Sequence, residues 1–312
     1  MPNYFAVVLA ALCLWTPAVG RAESPRKKAL FIGIDGCRTD ALKSARTPHI
    51  DSLIRDGAFT ENTDILGPRS TGADTVSGPG WSNLLTGVFP DKHGAKDNKF
   101  HGTKYKEFPH FFARLKEARP KAFTASFVTW EPIYSRITTA ADVSVVFETD
   151  KHDYRTYDAQ AKGKACETLA TKDPDAVFLY FGNVDETGHQ KGFHPTVPEY
   201  VAAIEEVDAH IGDVLRTIER RPTYADEDWL ILVGTDHGGL NKDHAKGHNT
   251  PEIRKVFLIV SGRSAERGLI ESPTYQVDLP VTALAHLGVA ADPKWKLDGR
   301  VVGLKTAAGA PR

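Results

Sequence analysis

The sequence has few cysteines and almost no net charge, two features that would otherwise indicate a particular class of protein. It contains 3 cysteines in 312 residues, and its formal net charge at pH 7 is −1. A charge so close to zero excludes a global basic field that would attract nucleic acid or a membrane surface, so any phosphate binding must be local. The chain also has no internal repeat, no low-complexity tract and no linker-like stretch. One large domain is therefore favoured over two equal ones.

Long hydrophobic runs are missing apart from the amino terminus. Tyr4 to Leu14 is almost uninterrupted apolar sequence, and small residues follow near Ala18 and Gly20. This pattern predicts a signal peptide over residues 1–22, a mature domain over residues 23–312, and a periplasmic or secreted protein. The run is too short for a membrane span, and Leu12 before Cys13 disfavours a lipoprotein anchor. Because no Lys or Arg precedes the run, a disordered or buried amino-terminal arm is the alternative.

Two cysteines remain after that segment, Cys37 and Cys166. They could pair in an exported chain, but two cysteines so far apart are equally compatible with buried thiols. Neither has a Cys or His neighbour at the spacing of metal ligands, so the sequence leaves their state open.

Short apolar runs alternate with segments of helical periodicity along the rest of the chain. The predicted strands are Ala29–Ile34, Phe123–Val128, Val143–Phe147, Ala176–Phe181, Trp229–Val233 and Val256–Val260. The main predicted helices are Phe108–Arg119, Asp158–Thr171, Pro198–Arg220 and the closing segment that ends before Gly288. This alternation predicts an α/β fold with a mostly parallel central sheet and helices on both faces.

Three of these strands end in acidic residues, and two of the acids are accompanied by histidine. Asp35 follows the first strand, Asp185 and His189 follow the fourth, and Asp236-His237 follow the fifth. Ligands in open α/β sheets bind outside the carboxyl ends of parallel strands, so these side chains are candidate site residues. His248 lies on a polar loop that could fold back over the same edge. The alternatives are a helix cap for Asp35 and a solvated turn for Asp185 and His189.

A loop rich in Gly, Pro, Ser and Thr over residues 67–80 carries a further candidate, Ser77. It precedes a helix that starts near Pro79 and stops at Gly87, so its hydroxyl would lie near a helix amino terminus that favours anions. An ordinary N-cap serine is the alternative interpretation.

Three carboxylates and three imidazoles are too many ligands for a single zinc ion, which typically takes four and keeps a position open in catalytic sites. Two ions that share the six side chains and the Ser77 oxygen best match this number of ligands. Such a pair can clamp the attacking and leaving oxygens of an in-line displacement at phosphorus. Coordination of a serine hydroxyl to a dication is one way to activate it as a nucleophile.

At this point the residues resemble a known family. The segments Gly33-Ile34-Asp35-Gly36, Ser77 with Pro79, Thr86-Gly87 to His93-Gly94, Asp185 with His189, Thr235-Asp236-His237-Gly238, and His248 are similar in order to the alkaline phosphatase superfamily. The pattern is nearest the nucleotide pyrophosphatase/phosphodiesterase branch and runs from about Ala29 to Gly303. Any single piece, such as Asp-His-Gly, is weak, whereas six ligands in order around a nucleophile are specific.

The resemblance implies a site with two divalent metal ions, with Zn²⁺ favoured. One ion would be held by Asp35, Asp236, His237 and the Ser77 oxygen. The other would be held by Asp185, His189 and His248, with His244 as the nearest rival for the last position. Asn98 lies where that branch places an asparagine that hydrogen-bonds a phosphate oxygen, although a turn residue is an equal alternative.

The sequence also departs from the branch, most clearly in the segment that carries Ser77. The branch usually has a threonine nucleophile followed by Phe-Pro-Asn, whereas this chain has Ser77-Gly78-Pro79-Gly80-Trp81. Trp81 also stands where the sulfatase motif requires arginine, which disfavours a sulfatase. The departure leaves the exact subfamily and substrate open.

The resulting hypothesis is an exported phosphoric ester hydrolase that acts on a small-molecule ester through Ser77. Diesters are favoured over monoesters because the Ser77 loop lacks an obvious phosphate-binding arginine, although Arg69 could swing in. Trp81 and Phe100 could line an apolar leaving-group site. The amino terminus of the helix after Ser77 would join Asn98 in holding phosphate oxygens. The alternatives are a phosphomonoesterase, a sulfatase-like hydrolase, and a non-catalytic exported protein that binds metal or an anion. No nucleic-acid module and no stable membrane anchor are predicted.

Overall fold

The computed structural model describes residue 1, residues 24–147 and residues 152–305. The predicted signal peptide therefore lies almost entirely outside the described residues. Within the described part, no helix has the length and apolar character needed to cross a membrane. The thiols of Cys37 and Cys166 are not joined to each other, and Cys37 is buried.

The described residues form one sheet of eight strands, in the order β4-β3-β5-β1-β6-β7-β2-β8. The strands are β1 (Arg26–Ile34), β2 (Ala58–Asp64), β3 (Thr124–Val128), β4 (Val143–Val146), β5 (Ala176–Phe181), β6 (Glu227–Gly234), β7 (Lys255–Gly262) and β8 (Gly268–Leu269). All neighbours are parallel except at β7, which runs antiparallel to both β6 and β2. The mostly parallel sheet predicted from the sequence is confirmed.

The α-helices of the described residues fill the connections between the strands. They are α1 (Thr39–Ser44), α2 (Pro48–Asp56), α3 (Ser77–Thr86), α4 (Pro90–His93), α5 (Phe111–Ala118), α6 (Tyr154–Thr171), α7 (Asn183–Lys191), α8 (Pro198–Glu219), α9 (Pro251–Arg254) and α10 (Asp278–His286). Several start later or earlier than the sequence predicts. For example, α6 begins four residues before Asp158, because the Asp153 carboxylate caps it by accepting from Thr156 N–H.

Two hydrophobic cores lie on the two faces of the sheet, as alternation along β1 makes clear. Leu30 and Ile32 point into the core shared with α2, α6 and α8, whereas Ala29 and Phe31 point into the core shared with α3, α5 and α10. A strand buried on both faces must be apolar at every position, which explains the unbroken apolar run in the sequence. Helices on both faces were predicted and are confirmed.

The sequence reasoning missed strands β2 and β8. The β2 segment contains Thr60, Glu61, Asn62 and Thr63, and its pairing with β7 shifts register between Thr60 and Thr63. The polar composition and the bulge hide the two-residue alternation that identifies a strand. These strands lie towards one side of the sheet, whereas the candidate residues lie at its centre.

Candidate metal centre

The candidate acids converge because their strands are neighbours at the centre of the sheet. Strand β1 pairs in parallel with β5 on one side and with β6 on the other. Since these strands end at the same edge, Asp35, Asp185 and Asp236 arrive together. Backbone contacts hold the edge: Gly36 N–H donates to Asp236 Oδ1 at 3.1 Å, and Asp35 N–H donates to the Phe181 carbonyl at 2.9 Å.

One group of possible ligands consists of Asp35, Asp236 and His237, whose side chains are almost completely buried. His237 Nε2 lies 3.1 Å from Asp236 Oδ2 and 3.6 Å from Asp35 Oδ1. The Ser77 hydroxyl lies 3.2 Å from the same nitrogen. Two carboxylates and one imidazole therefore lie together at the ends of β1 and β6, with the Ser77 oxygen beside the imidazole.

A second group of possible ligands shares His237 with the first and adds Asp185 and His244. His189 lies next to both Asp185 and His244. His189 Nε2 lies 3.4 Å from Asp185 Oδ2, and His244 Nε2 lies 3.8 Å from Asp185 Oδ1. The two histidine Nε2 atoms are 3.0 Å apart. Helix α7 explains the first pair, since residues four positions apart share one helix face.

The other ring nitrogen of each histidine faces a backbone carbonyl. The Nδ1 atoms of His237, His189 and His244 lie 2.8, 2.9 and 3.2 Å from the carbonyl oxygens of Gly238, Lys242 and Thr75. A carbonyl only accepts, so each Nδ1 carries a proton and each ring turns its Nε2 towards the cluster. Histidines that bind metals are oriented in this way.

The residues of the cluster fit a bound divalent cation. Asp35 Oδ1, Asp185 Oδ1 and Asp236 Oδ2 are buried, and among the described residues they have no hydrogen-bond partner. Buried carboxylate oxygens are normally satisfied, because an unpaired buried charge is costly. Three such oxygens together with imidazole nitrogens form a ligand set that metals with oxygen and nitrogen ligands require.

The electrostatics of the cluster lead to the same conclusion. Burial and the neighbouring carboxylate of Asp236 raise the pKa of Asp35 well above its usual value, and burial with Asp185 raises the pKa of Asp236 to about 8. The hydrogen bond to Asp185 raises the pKa of His189 to about 9, whereas burial lowers the pKa of His244 to about 3. Without added positive charge the acids therefore repel one another, and a cation would replace the protons that they otherwise retain.

The structure brings His244 into the cluster and does not place His248 there. His248 Nε2 instead lies 2.8 Å from the Ala73 carbonyl. The loop turns between the two residues, since Lys246 adopts a left-handed φ of 56° and its N–H donates to Asp74. The sequence interpretation preferred His248 for its Gly-His-Asn-Thr setting, but this geometry favours His244, the rival it had retained.

Ser77 and Asn98 meet at the start of α3. Asn98 Oδ1 accepts from Gly78 N–H at 2.6 Å, which leaves the Asn98 Nδ2 group as a donor. The predicted use of the helix amino terminus as an anion site is weakened, because Gly78 N–H is engaged by Asn98, Pro79 has none, and Gly80 N–H donates to the Val76 carbonyl.

Trp81 does not line a leaving-group site, so that prediction is wrong. Its side chain is completely buried, and its indole N–H donates to Asp35 Oδ2 at 2.9 Å. Phe100 is also buried, with its ring against Trp130. Helix α3 directs the indole into the protein, against the Asp35 carboxylate.

A cleft of about 120 Å³ opens onto the cluster. Besides the cluster residues, it is lined by Trp130, Tyr154, Tyr180 and Glu186, none of which the sequence reasoning identified. Tyr180 carried a usable signal, since a tyrosine in an otherwise apolar buried strand needs a partner for its hydroxyl.

The side chains that line this cleft include no lysine or arginine in the described part of the chain. Arg69, the candidate that the sequence could not exclude, forms ion pairs with Asp91 and Asp298 at 2.9 and 3.0 Å. Neither acid lines the cleft.

Comparison with solved structures identifies the fold. A 2-O GAG sulfatase superposes with a TM-score of 0.66 at 14% identity, over 90% of this chain and 73% of the sulfatase. Murine ectonucleotide pyrophosphatase/phosphodiesterase 5, in complex with AMP, superposes with a TM-score of 0.60 at 17% identity, over 86% of this chain and 96% of that protein. This is the alkaline phosphatase-like fold that the sequence predicted.

Sequence comparisons narrow the relationship. Human ectonucleotide pyrophosphatase/phosphodiesterase family member 7 is 24% identical over 260 residues, which is 77% of this chain and 55% of the relative. A bovine bis(5'-adenosyl)-triphosphatase is 22% identical over 227 residues, which is 68% of this chain and 47% of the relative. The chain thus spans about half the length of these curated relatives. Residues 29–253 match the family described as type I phosphodiesterase / nucleotide pyrophosphatase. On this match, together with the fold, the chain belongs to the type I phosphodiesterase / nucleotide pyrophosphatase family.

Proposed function

We propose that this protein is an exported, metal-dependent hydrolase of phosphoric diesters that uses Ser77 as its nucleophile. One observation carries the proposal: buried carboxylate oxygens without partners and imidazole Nε2 atoms face one another beside the Ser77 hydroxyl. The family match and the relatives named as pyrophosphatases and phosphodiesterases support hydrolysis of phosphoric esters.

Two divalent cations, with Zn²⁺ favoured, would be held by this chain. Asp35, Asp236, His237 and the Ser77 oxygen would hold one, and Asp185, His189 and His244 would hold the other. When bound, such ions activate a serine hydroxyl and neutralise charge on the attacking and leaving oxygens. The six side chains need little rearrangement, because their partners already orient them.

The chain's own groups would position the ester for in-line attack. Ser77 Oγ projects from the first turn of α3 towards the cluster and lies within hydrogen-bond distance of His237 Nε2, at 3.2 Å. Asn98 Nδ2 would donate to a non-bridging phosphate oxygen, because its Oδ1 is already engaged by Gly78 N–H. Such a donor aimed at developing charge is worth about 3 kcal/mol in comparable sites.

The charge of the cleft favours diesters over monoesters. A monoester carries two negative charges on its phosphoryl group, and its second charge needs a cationic partner beyond the metals. The lining side chains offer none, and they add the carboxylate of Glu186. A diester carries only one such charge, and the aromatic rings of Trp130 and Tyr154 can accommodate its organic group.

The test is an assay of purified, zinc-loaded protein on bis-p-nitrophenyl phosphate and on p-nitrophenyl phosphate. We expect faster turnover of the diester, and loss of at least about a thousandfold in Ser77→Ala with its metal content retained. Ser70→Ala, an exposed serine of the preceding loop, serves as the matched control with unchanged turnover. A strong monoester preference would reject the diester proposal. Binding of two ions without hydrolysis of either ester would indicate a non-catalytic binding protein instead.

A further inference from the structure

The carboxylate of Asp35 is held at one of its two oxygens by two donors. Trp81 Nε1–H donates to Asp35 Oδ2 at 2.9 Å, and the Tyr180 hydroxyl donates to the same oxygen at 2.6 Å. All three residues are at most 2% exposed. Water therefore does not compete for these hydrogen bonds, and both donors share one acceptor, Asp35 Oδ2.

The other oxygen of Asp35 is left without a hydrogen bond. Oδ1 is buried, has no hydrogen-bond partner among the described residues, and lies 3.6 Å from His237 Nε2. A carboxylate oxygen offers about two lone-pair directions, so two donors saturate Oδ2. Only Oδ1 then remains available to a cation.

We propose that Trp81 and Tyr180 act as positioning residues that make Asp35 a one-oxygen metal ligand. This inference rests on the metal site of the proposed function. It adds that these two donors influence how tightly that site binds a metal and which metal it prefers. A one-oxygen carboxylate suits a four-coordinate ion such as Zn²⁺. An ion that prefers six to eight oxygens and accepts two-oxygen carboxylates, such as Ca²⁺, gains less from it.

The packing around both donors makes their positions rigid. The Trp81 ring lies directly over Gly33 of β1, where an added Cβ would approach ring carbons to 2.4 Å. The rings of Trp81 and Tyr180 meet edge to face with centroids 5.0 Å apart. Since neither ring can rotate freely, both donors remain aimed at Oδ2 whether or not a cation is bound. This arrangement also gives a role to the tryptophan that replaces the arginine of sulfatases.

The Tyr180→Phe variant removes one donor and keeps the packed ring. Zn²⁺ titration of metal-free protein by calorimetry should show affinity reduced by about tenfold to a hundredfold at one of two sites, with the other unchanged. The ratio of Zn²⁺ to Ca²⁺ affinity at that site should also fall, because Oδ2 becomes free. Tyr105→Phe is the matched control, since the Tyr105 hydroxyl pairs with Ser82 rather than with a carboxylate.

The outcomes separate this inference from the proposed function. Wild-type Zn²⁺ affinity at both sites and an unchanged Zn²⁺ to Ca²⁺ ratio in Tyr180→Phe would overturn the positioning role while leaving the hydrolase intact. Absence of metal binding by the wild type would overturn both. If Tyr180→Phe does not fold, Trp81→Phe tests the same role, and we expect the same reduction in Zn²⁺ affinity at the same site.

Discussion

His244 and His248 are four positions apart on one loop, yet their imidazoles have different partners. His244 stacks on His237 with ring centroids 3.6 Å apart, whereas His248 contacts the Ala73 carbonyl. The loop between them is held by the Asp243 carboxylate, which accepts from the N–H groups of His244 and Ala245. Local sequence cannot decide between the two histidines, because the decision depends on Thr75 and Asp185, which lie far away in the chain.

The alanine variants of these two histidines should therefore differ in metal content. We expect His244→Ala to lose about one equivalent of tightly bound Zn²⁺ and most diester turnover, since it removes a proposed ligand. His248→Ala should keep both equivalents, which makes it the matched control. Metal analysis after dialysis measures the difference, and a metal loss confined to His248→Ala would restore the original sequence interpretation.

At the scale of elements, helix α3 contains glycines that a helix would ordinarily avoid. Glycine costs about 1 kcal/mol relative to alanine inside a helix. Here the backbone of α3 approaches its neighbours too closely for a side chain. A Cβ at Gly80 would lie 2.7 Å from Asp236 Cβ, and one at Gly78 would lie 2.6 Å from the Asp97 carbonyl. The Ser-Gly-Pro-Gly segment thus lets Ser77 and the strand end of β6 meet.

Substitution of Gly80 by alanine tests this close approach. We expect Gly80→Ala to destabilise the protein by about 1–3 kcal/mol and to reduce turnover, because α3 must move away from Asp236. Gly163→Ala in α6 is the matched control, since nothing lies within 4 Å of its added Cβ. There the higher helix propensity of alanine should raise stability by up to about 1 kcal/mol. Urea unfolding measures the change in unfolding free energy of both variants. A change in the same direction in both would refute the explanation.

A buried chain of hydrogen bonds links α4 to the strand end that carries Asp236. His93 Nε2 lies 3.0 Å from Asn83 Oδ1, Asn83 Nδ2 donates to Gln276 Oε1, and Gln276 Nε2 donates to the Asp236 carbonyl at 2.6 Å. His93 Nδ1 accepts from Ala95 N–H, so the ring must be neutral with its proton on Nε2. This network gives a structural role to His93 of the Thr86-Gly87 to His93-Gly94 segment.

At the scale of the whole molecule, buried neutral histidines should make folding sensitive to acid. Burial lowers the pKa of His93 to about 3, and it lowers the pKa of His110 to about 3 as well. Below the ordinary histidine pKa of about 6.5 the unfolded chain binds protons that the folded chain does not. The contribution of each neutral histidine to the unfolding free energy is therefore fully present above about pH 6.5. It declines as the pH falls towards the pKa of the histidine in the folded protein.

Comparison of His93→Gln with the wild type isolates one of these groups. Between about pH 7.5 and pH 5 the wild type should lose about 2 kcal/mol more unfolding free energy than the variant, because the variant lacks this proton uptake. Urea unfolding at both pH values measures the loss, and the difference cancels the contributions of other titrating groups. An identical pH dependence in the two proteins would show that His93 is not held neutral.

The sequence by itself determined six of the eight strands of the described sheet, the family, and the strand ends that carry acids. These features are local: the runs Ala29–Ile34, Ala176–Phe181 and Trp229–Val233 within β1, β5 and β6 are buried on both faces and almost entirely apolar, so the following Asp35, Asp185 and Asp236 stand out. Parallel neighbours end at one edge, which makes convergence of these acids predictable.

Only the tertiary structure decided between His244 and His248, turned Trp81 inward and paired Tyr180 with Asp35. These outcomes depend on contacts between residues distant in the chain, such as the 145 positions between Asp35 and Tyr180. The secondary-structure propensity of a short segment does not depend on such distant partners and so cannot predict them. The strands therefore follow from the sequence pattern, whereas the position of His244 in the cluster and the donors to Asp35 follow from packing.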